Sequence, residues 1–534
     1  MEYDLIIKNG YIVDGTGNPW FKADIGINDG KIVKIGNVDS ASGYKKIEVK
    51  DLVVSPGFID IHTHSDFSLI IDPRAESKIR QGVTTEVIGN CGFSAAPMRE
   101  LHRKLLEQYL DPIRFKVELT WSNMREYFSQ LEKQGIAPNV ASLVGHGTVR
   151  IAVMGFDNRT ATDEELKDMK ALVAQSMEDG SFGMSTGLAY PPACYSDTRE
   201  LFELSKVVTK YGGIYVSHIR NEADTLIESV KEEIDIGKES NIPVEISHLK
   251  AAGKANWGKI KRILKIMYET RESGIDITCD QYPYSASCTF LNAIIPTWAH
   301  EGGIEKLIAR LKDPKVLRRL VTEIKEGIPG WENPVKGSGW DKIMIVSVAS
   351  EKNRVLEGKT IAEIAELRGE DPFDVAFNLL IEENGDVMMV EYAMCEEDVQ
   401  MVMKAPFSMV GSDGNAVTPR GILGKVKQHP RSYGTFPRIL GKYVREDKIL
   451  TLQEAIRKMT SLPAQRLGLR DRGLIREGMW ADITIFNPRE IIDKATYTDP
   501  HQFPEGIEYV IINGKLTLEK GNYSGILSGK VLKH

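Results

Sequence analysis

The chain has 534 residues, 42% of them hydrophobic and 27% charged, with a net charge of −7 at pH 7. That balance excludes an intrinsically disordered chain, and no uninterrupted apolar run reaches the length of a membrane span. Without a dense Lys/Arg block the charge points to no nucleic-acid or membrane partner, so a small molecule is the expected ligand.

Residues 3–57 hold short strand candidates (LIIKN, YIVDG, ADIGI, KIVKIG, IEVKD, LVVSP) separated by Asn-Gly and Asp-Gly turn signals. The chain begins in this strand-like alternation, with no apolar leader and cleavage site. Its five cysteines, Cys91, Cys194, Cys279, Cys288 and Cys395, are odd in number and lack paired spacing. Together these features predict a cytoplasmic protein with reduced thiols.

From residue 57 onward, apolar runs rich in Val, Ile and Gly alternate with charged, helical stretches, as βα units around a parallel sheet do. Eight such runs occur: GFIDIH (57–62), TEVIGN (85–90), VASLVG (140–145), FGMSTG (182–187), IYVSH (214–218), VEISH (244–248), IDITCD (275–280) and FSMVGSD (407–413). Eight units predict a closed (β/α)8 TIM barrel of the α/β class. The rhythm breaks over 281–406, where an inserted helical subdomain within about 287–340 is expected to act as a lid or substrate-contacting cap. Beyond 472, MWADITIFNP, IEYVIINGKLTL and GKVLK return to strands. Residues 1–57 and 472–534 are therefore expected to form a small β-sandwich domain beside a catalytic barrel spanning 58–471.

The strongest local motif is PGFIDIHTHSD. Side chains two apart in a strand point the same way, so His62 and His64 project together at the end of the first barrel strand, where barrel active sites lie. Taken alone, such a pair is as common among structural histidines as among metal ligands. His218 and His248 end IYVSH and VEISH, one βα unit apart, which sets their imidazoles side by side over the barrel mouth. Asp413 ends the last strand in VGSDG and suits a base that takes a proton from an attacking water and delivers it to a departing amine. Cys91 follows the second strand in VIGNCG, and as a thiolate it is a soft zinc ligand.

PGFIDIHTHSD, GVTTEVIGNCG, GHGTVR, GMSTGLAYPP, SHIRNE, ISHLK, DQYPY, GSDG, HPRSYGTFPR and GMWADITIFNP run nearly end to end, and on them the sequence resembles the N-acyl-D-amino-acid deacylases (D-aminoacylases) of the amidohydrolase superfamily. Many members of that superfamily carry a carboxylated lysine on the fourth strand. FGMSTGLAY has none, and Cys91 is what the deacylases use instead, against a dihydroorotase or hydantoinase. The resemblance implies one tightly held Zn2+ at Cys91, His218 and His248, with a weaker second site involving His62, His64 and Asp413. It also implies that Lys250, Tyr282 and Arg431 meet the substrate carboxylate.

His146 is expected to be structural, Arg220 and Glu222 to form a supporting ion pair, and His429 has no assigned role. The expected activity is zinc-dependent hydrolysis of an N-acyl-D-amino acid to a carboxylic acid and a D-amino acid. The alternatives are a dipeptidase or cyclic-amide hydrolase on the same site, or a scaffold that has lost its metal. The expected partner is the N-acyl amino acid itself, and an oligomer is compatible with the sequence.

Overall fold

The computed structural model describes residues 2–38, 43–110 and 117–534. Each of the eight runs overlaps a strand, numbered β1 (Phe58–Asp60), β2 (Val83–Ile88), β3 (Asn139–Ser142, resuming at Val144–Gly145), β4 (Gly183–Gly187), β5 (Ile214–His218), β6 (Val244–Ile246), β7 (Ile277–Gln281) and β8 (Ser408–Val410). Parallel pairing joins β1, β2 and the first part of β3, then the second part of β3 through β4, β5, β6 and β7 to β8. The ring closes where Thr63 and Gly414 bridge and the Asp413 amide donates to the His62 carbonyl at 2.8 Å. This is the expected barrel.

Every residue of these strands is buried. Helices cover the outer face, so both faces are buried, and polar members of the strands such as Glu86, Thr186 and Asp280 are enclosed with the apolar ones. Inside, Ile59, Val87, Ala141, Val216 and Met409 fill the axis, closed from below by Ala464 and Leu467. The covering helices start where their caps direct. Thr162 and Glu165 form a capping box before Asp163–Glu178, and Asp197 caps Thr198–Lys210.

Both chain ends build one nine-stranded sheet, joined where Val53–Pro56 pairs antiparallel with Ile483–Phe486. Ile7, Ile25 and Ile27 share a core with Ile483, Ile485 and Ile511, so the expected sandwich is a continuous ladder over one core. Residues 1 and 39–42 of this region lie outside the described residues. Asp29-Gly30 and Asn513-Gly514 are hairpin turns as expected. Asn9-Gly10 is not. It lies within the strand Tyr3–Ile12 at a register shift, with Asn9 at φ 63°, so the left-handed residue makes a bulge. GKVLK does not join this sheet either: Val531 bridges Val140 in parallel, and Leu532 N donates to Val140 O, so the segment lies alongside the start of β3.

The excursion between β7 and β8 is mixed rather than purely helical and runs past residue 340. Ser287–Phe290, Val387–Glu391 and Ile343–Val348 form an antiparallel sheet. Helices such as Pro314–Glu326 and Pro372–Glu382 pack on it around Leu307, Leu320, Ile345, Phe377 and Met389. No helix among the described residues is long and apolar enough to cross a membrane.

Candidate metal centre

Strand ends bring the predicted residues together. Asp60, His62 and His64 alternate off β1, Cys91 lies in the turn after β2, His218 closes β5, His248 follows β6 and Asp413 follows β8. Cys91 Sγ lies 3.3 Å from His62 Nε2 and 3.4 Å from His248 Nε2. His64 Nε2 is 3.0 Å from Asp413 Oδ1, and His62 Nε2 is 3.6 Å from the same oxygen. Donor atoms of His62, Cys91, His248 and Asp413 all lie within 4.8 Å of one another, and so do those of His218, Glu222 and His248. Ligands of a tetrahedral zinc stand roughly 3.5 Å apart, so these sulfur, nitrogen and oxygen atoms are spaced as zinc ligands are, with His248 common to both groups.

Three of these residues adopt left-handed backbone although none is glycine: Cys91 at φ 51°, His248 at 35° and Asp413 at 50°. Each such position costs on the order of 1 kcal/mol and persists only when its surroundings hold it. Asp280 Oδ1 accepts from His248 N at 2.9 Å, and His62 O accepts from Asp413 N. Asp280 also orients a ring, and so does Glu222. Asp280 Oδ2 sits 3.1 Å from His62 Nδ1 and Glu222 Oε1 sits 3.0 Å from His248 Nδ1, which leaves both Nε2 atoms facing the centre.

Burial opposes every charge here, yet the neighbours outweigh it. His62 and His248 hold the buried Cys91 thiol well below its ordinary value, and Arg431 and His248 do the same for the Asp413 carboxyl. Conversely, Asp280 and Cys91 raise His62 well above the usual imidazole range, while Asp413 and Cys91 carry His64 up to about 9. A buried thiolate and carboxylate thus call for positive charge. Protons on the imidazoles can supply it, and so can a divalent ion that leaves those rings neutral.

Over the centre opens a cavity of about 640 Å³ whose walls include His64, Cys91, His218, His248 and Asp413. Phe93, stacked on Tyr109 at 4.5 Å, lines an apolar side. Lys250, Tyr282 and Arg431 line the cavity as well. Lys250 Nζ donates to Glu222 Oε1 at 2.6 Å and touches His248 Nδ1 at 2.7 Å. The Tyr282 hydroxyl is fully buried without a partner. Arg431 Nη1 lies 2.8 Å from Asp413 Oδ2 but is not aligned to donate to it.

Two residues had no part in the expected centre. Asp280 grips His62 and His248 together, and its only sequence signal is a carboxylate at the end of a barrel strand. Glu222 does not pair with Arg220, which instead holds Glu232 at 2.9 and 3.0 Å. Glu222 turns inward to His218, His248 and Lys250. His146 bonds Glu200 at 2.7 Å, away from the centre. His429 donates from Nε2 to Ala286 O and accepts Arg431 N at Nδ1, so it places the backbone of Arg431.

A profile of the Amidohydrolase family matches residues 46–518. The chain is 33% identical to the D-aminoacylase of Alcaligenes xylosoxydans xylosoxydans over 99% of its own length and 97% of that protein's. It belongs to the N-acyl-D-amino-acid deacylases of the amidohydrolase superfamily. This deacylase is also 34% identical to the N-acyl-D-glutamate deacylase of the same organism, over 96% of its own length and 93% of the relative's. Among solved structures it resembles the N-acyl-D-glutamate deacylase of Bordetella bronchiseptica, complexed with zinc and a phosphonate that mimics the tetrahedral intermediate. The TM-score is 0.84 at 32% identity, covering 100% of both chains. The deacylase likeness therefore spans barrel, insertion and terminal sheet together.

Proposed function

We propose that this deacylase hydrolyses the amide bond of N-acyl-D-amino acids, with zinc, to a carboxylic acid and a D-amino acid. The observation that carries this reading is the buried thiolate, imidazole and carboxylate set on the floor of a cavity whose walls also hold an unpartnered tyrosine hydroxyl and an arginine. Configuration and substrate class follow the relatives, which are named for D-amino acids and D-glutamate. The zinc follows the Bordetella bronchiseptica structure, which contains it.

Cys91, His218 and His248 would hold one ion tightly, and His62, His64 and Asp413 a second more weakly. When bound, zinc supplies Lewis acidity toward the amide carbonyl and eases deprotonation of the attacking water. Asp413 is held ionised by Arg431, so it can take that proton, and it then returns the proton to the amine as the C–N bond breaks. Arg431, Tyr282 and the remaining N–H of Lys250 would receive the substrate carboxylate and fix which face of the amide is attacked. With all five cysteines free, a cytoplasmic site of action accords with the chemistry.

Asp413→Asn keeps the shape and removes the base. Release of D-leucine from N-acetyl-D-leucine should fall by about 10³-fold, with zinc content measured in parallel retained at the Cys91, His218 and His248 site. Near-normal turnover in this variant would defeat the assignment.

A further inference from the structure

Beyond Lys250 the cavity wall changes sign. Glu332 and Glu391, both carried by the insertion, line it beside Glu222. Glu332 Oε2 accepts from the Glu222 amide at 2.8 Å, and Glu391 Oε1 accepts from Ser338 Oγ at 2.7 Å. Neither has an ion-pair partner among the described residues. Burial first, then Glu222 and Glu391, push the Glu332 carboxyl up to about 8 while Lys250 opposes the rise, and burial with Glu222 raises Glu391, so these acids crowd one corner where a bound cation would favour their charged forms. Among the described residues Lys250 is the one lysine or arginine within contact of Glu222, which already engages it together with His218 and His248. Three acidic side chains therefore crowd one ammonium at the edge of a cavity that elsewhere leaves the buried Tyr282 hydroxyl without a hydrogen-bond partner.

We propose that Glu332 and Glu391 are specificity-determining residues that receive a cationic group of the substrate, an ammonium or a guanidinium, and that exclude substrates with an acidic side chain. This rests on the deacylase reading above and names its substrate class. Arg431 and Lys250, 4.9 and 5.8 Å from the centre of the Tyr282 ring, take the α-carboxylate with Tyr282, and Glu332 and Glu391 beside Lys250 take a positive group. A second carboxylate on the substrate would meet like charge there, and no free cation lines that corner to offset it. Two kinds of substrate present the same cation. It is the side-chain terminus of an N-acyl-D-lysine or N-acyl-D-arginine, or the free α-ammonium of an acyl group that is itself an amino acid.

The test uses the zinc-loaded enzyme with N-acetyl-D-lysine, N-acetyl-D-leucine, N-acetyl-D-glutamate and glycyl-D-leucine, reading kcat/KM by amine release. Expected is at least about tenfold preference for one cationic substrate over N-acetyl-D-leucine, and about 100-fold over N-acetyl-D-glutamate. Preference for N-acetyl-D-lysine puts the cation on the side chain, and preference for glycyl-D-leucine puts it on the acyl group. In the Glu332→Gln, Glu391→Gln double variant, the ratio of the preferred cationic substrate to N-acetyl-D-leucine should fall by about tenfold or more. Turnover of N-acetyl-D-leucine without a cationic preference, or a ratio unmoved by the double variant, overturns this inference alone. Failure of the wild type to hydrolyse any of the four overturns the deacylase reading and the inference with it.

Discussion

Lys78 is a cation with no solvent exposure, and its bonds explain how Asp413 is held. Its Nζ donates to Asp60 Oδ2 at 2.8 Å and Ser412 Oγ at 2.7 Å, Ser412 N donates to Asp60 Oδ1, and Gly414 N donates to Ser412 Oγ. The turn that holds Asp413 in left-handed backbone is thus tied to β1. Lys78→Met keeps the volume and cuts the side-chain tie, leaving Asp60 without its cation and with the Ser412 amide alone. Kinetics on the folded protein should show kcat lower by about tenfold or more with KM little changed, because the reacting group is displaced and substrate contacts are not. A rise in KM at unchanged kcat would contradict this role. Glu233 illustrates a buried acid with no such partner. Burial first, then Glu232, pushes its carboxyl up to about 8, while Ser217 Oγ donates to one oxygen at 2.8 Å. The unfolded chain releases this proton near 4.5, so between these values the folded state binds more protons. Stability therefore falls as pH rises from about 4.5 to about 8. Glu233→Gln should flatten that slope in urea unfolding and add about 1–3 kcal/mol above pH 8. Equal slopes in both proteins would refute it.

At the scale of elements, the close approach of strand ends places the ligands. A Cβ at Gly187, the last residue of β4, would sit 2.1 Å from the Cys91 carbonyl, and one at Gly411 would sit 2.6 Å from His62 Cβ. Both glycines lie where a ligand-bearing turn crosses a neighbouring strand. Gly187→Ala must push the Cys91 turn away, and competition with a chromophoric chelator should show zinc bound about 10-fold to 100-fold more weakly. Undiminished affinity would mean that the turn yields without moving the sulfur. The insertion is positioned by the same logic. Its edge strand Ser287–Phe290 follows β7 almost at once, so the segments bearing Glu332 and Glu391 come down over the barrel mouth.

For the whole molecule, the centre joins elements from β1, β2, β5, β6 and β8, so an ion there cross-links most of the ring. Chelation should abolish turnover and lower Tm, and added zinc should restore both. An ion present at about 100 times its Kd contributes about 2.7 kcal/mol to the folded state. An unchanged Tm after complete metal removal would show that the barrel does not depend on the ion.

Much of this was legible along the chain. The barrel strands are short runs rich in Val, Ile and Gly with both faces covered, and His62, His64, His218, His248 and Asp413 stand at their ends, where period-2 geometry already orients the first pair. Cys91 was visible through its turn, GNCG. Other features were decided by contacts between distant segments. A carboxylate such as Asp280 looks like any strand-end acid until closure of the ring sets it between His62 and His248. Glu222 has Arg220 two residues away, yet the turn after β5 sends the two side chains to different neighbours. The strands Ile343–Val348 and Val387–Glu391 carry apolar runs like those of the barrel, and only their antiparallel pairing assigns them to the insertion. Periodicity reports which face of a segment is buried, and it holds no information about which distant segment covers that face.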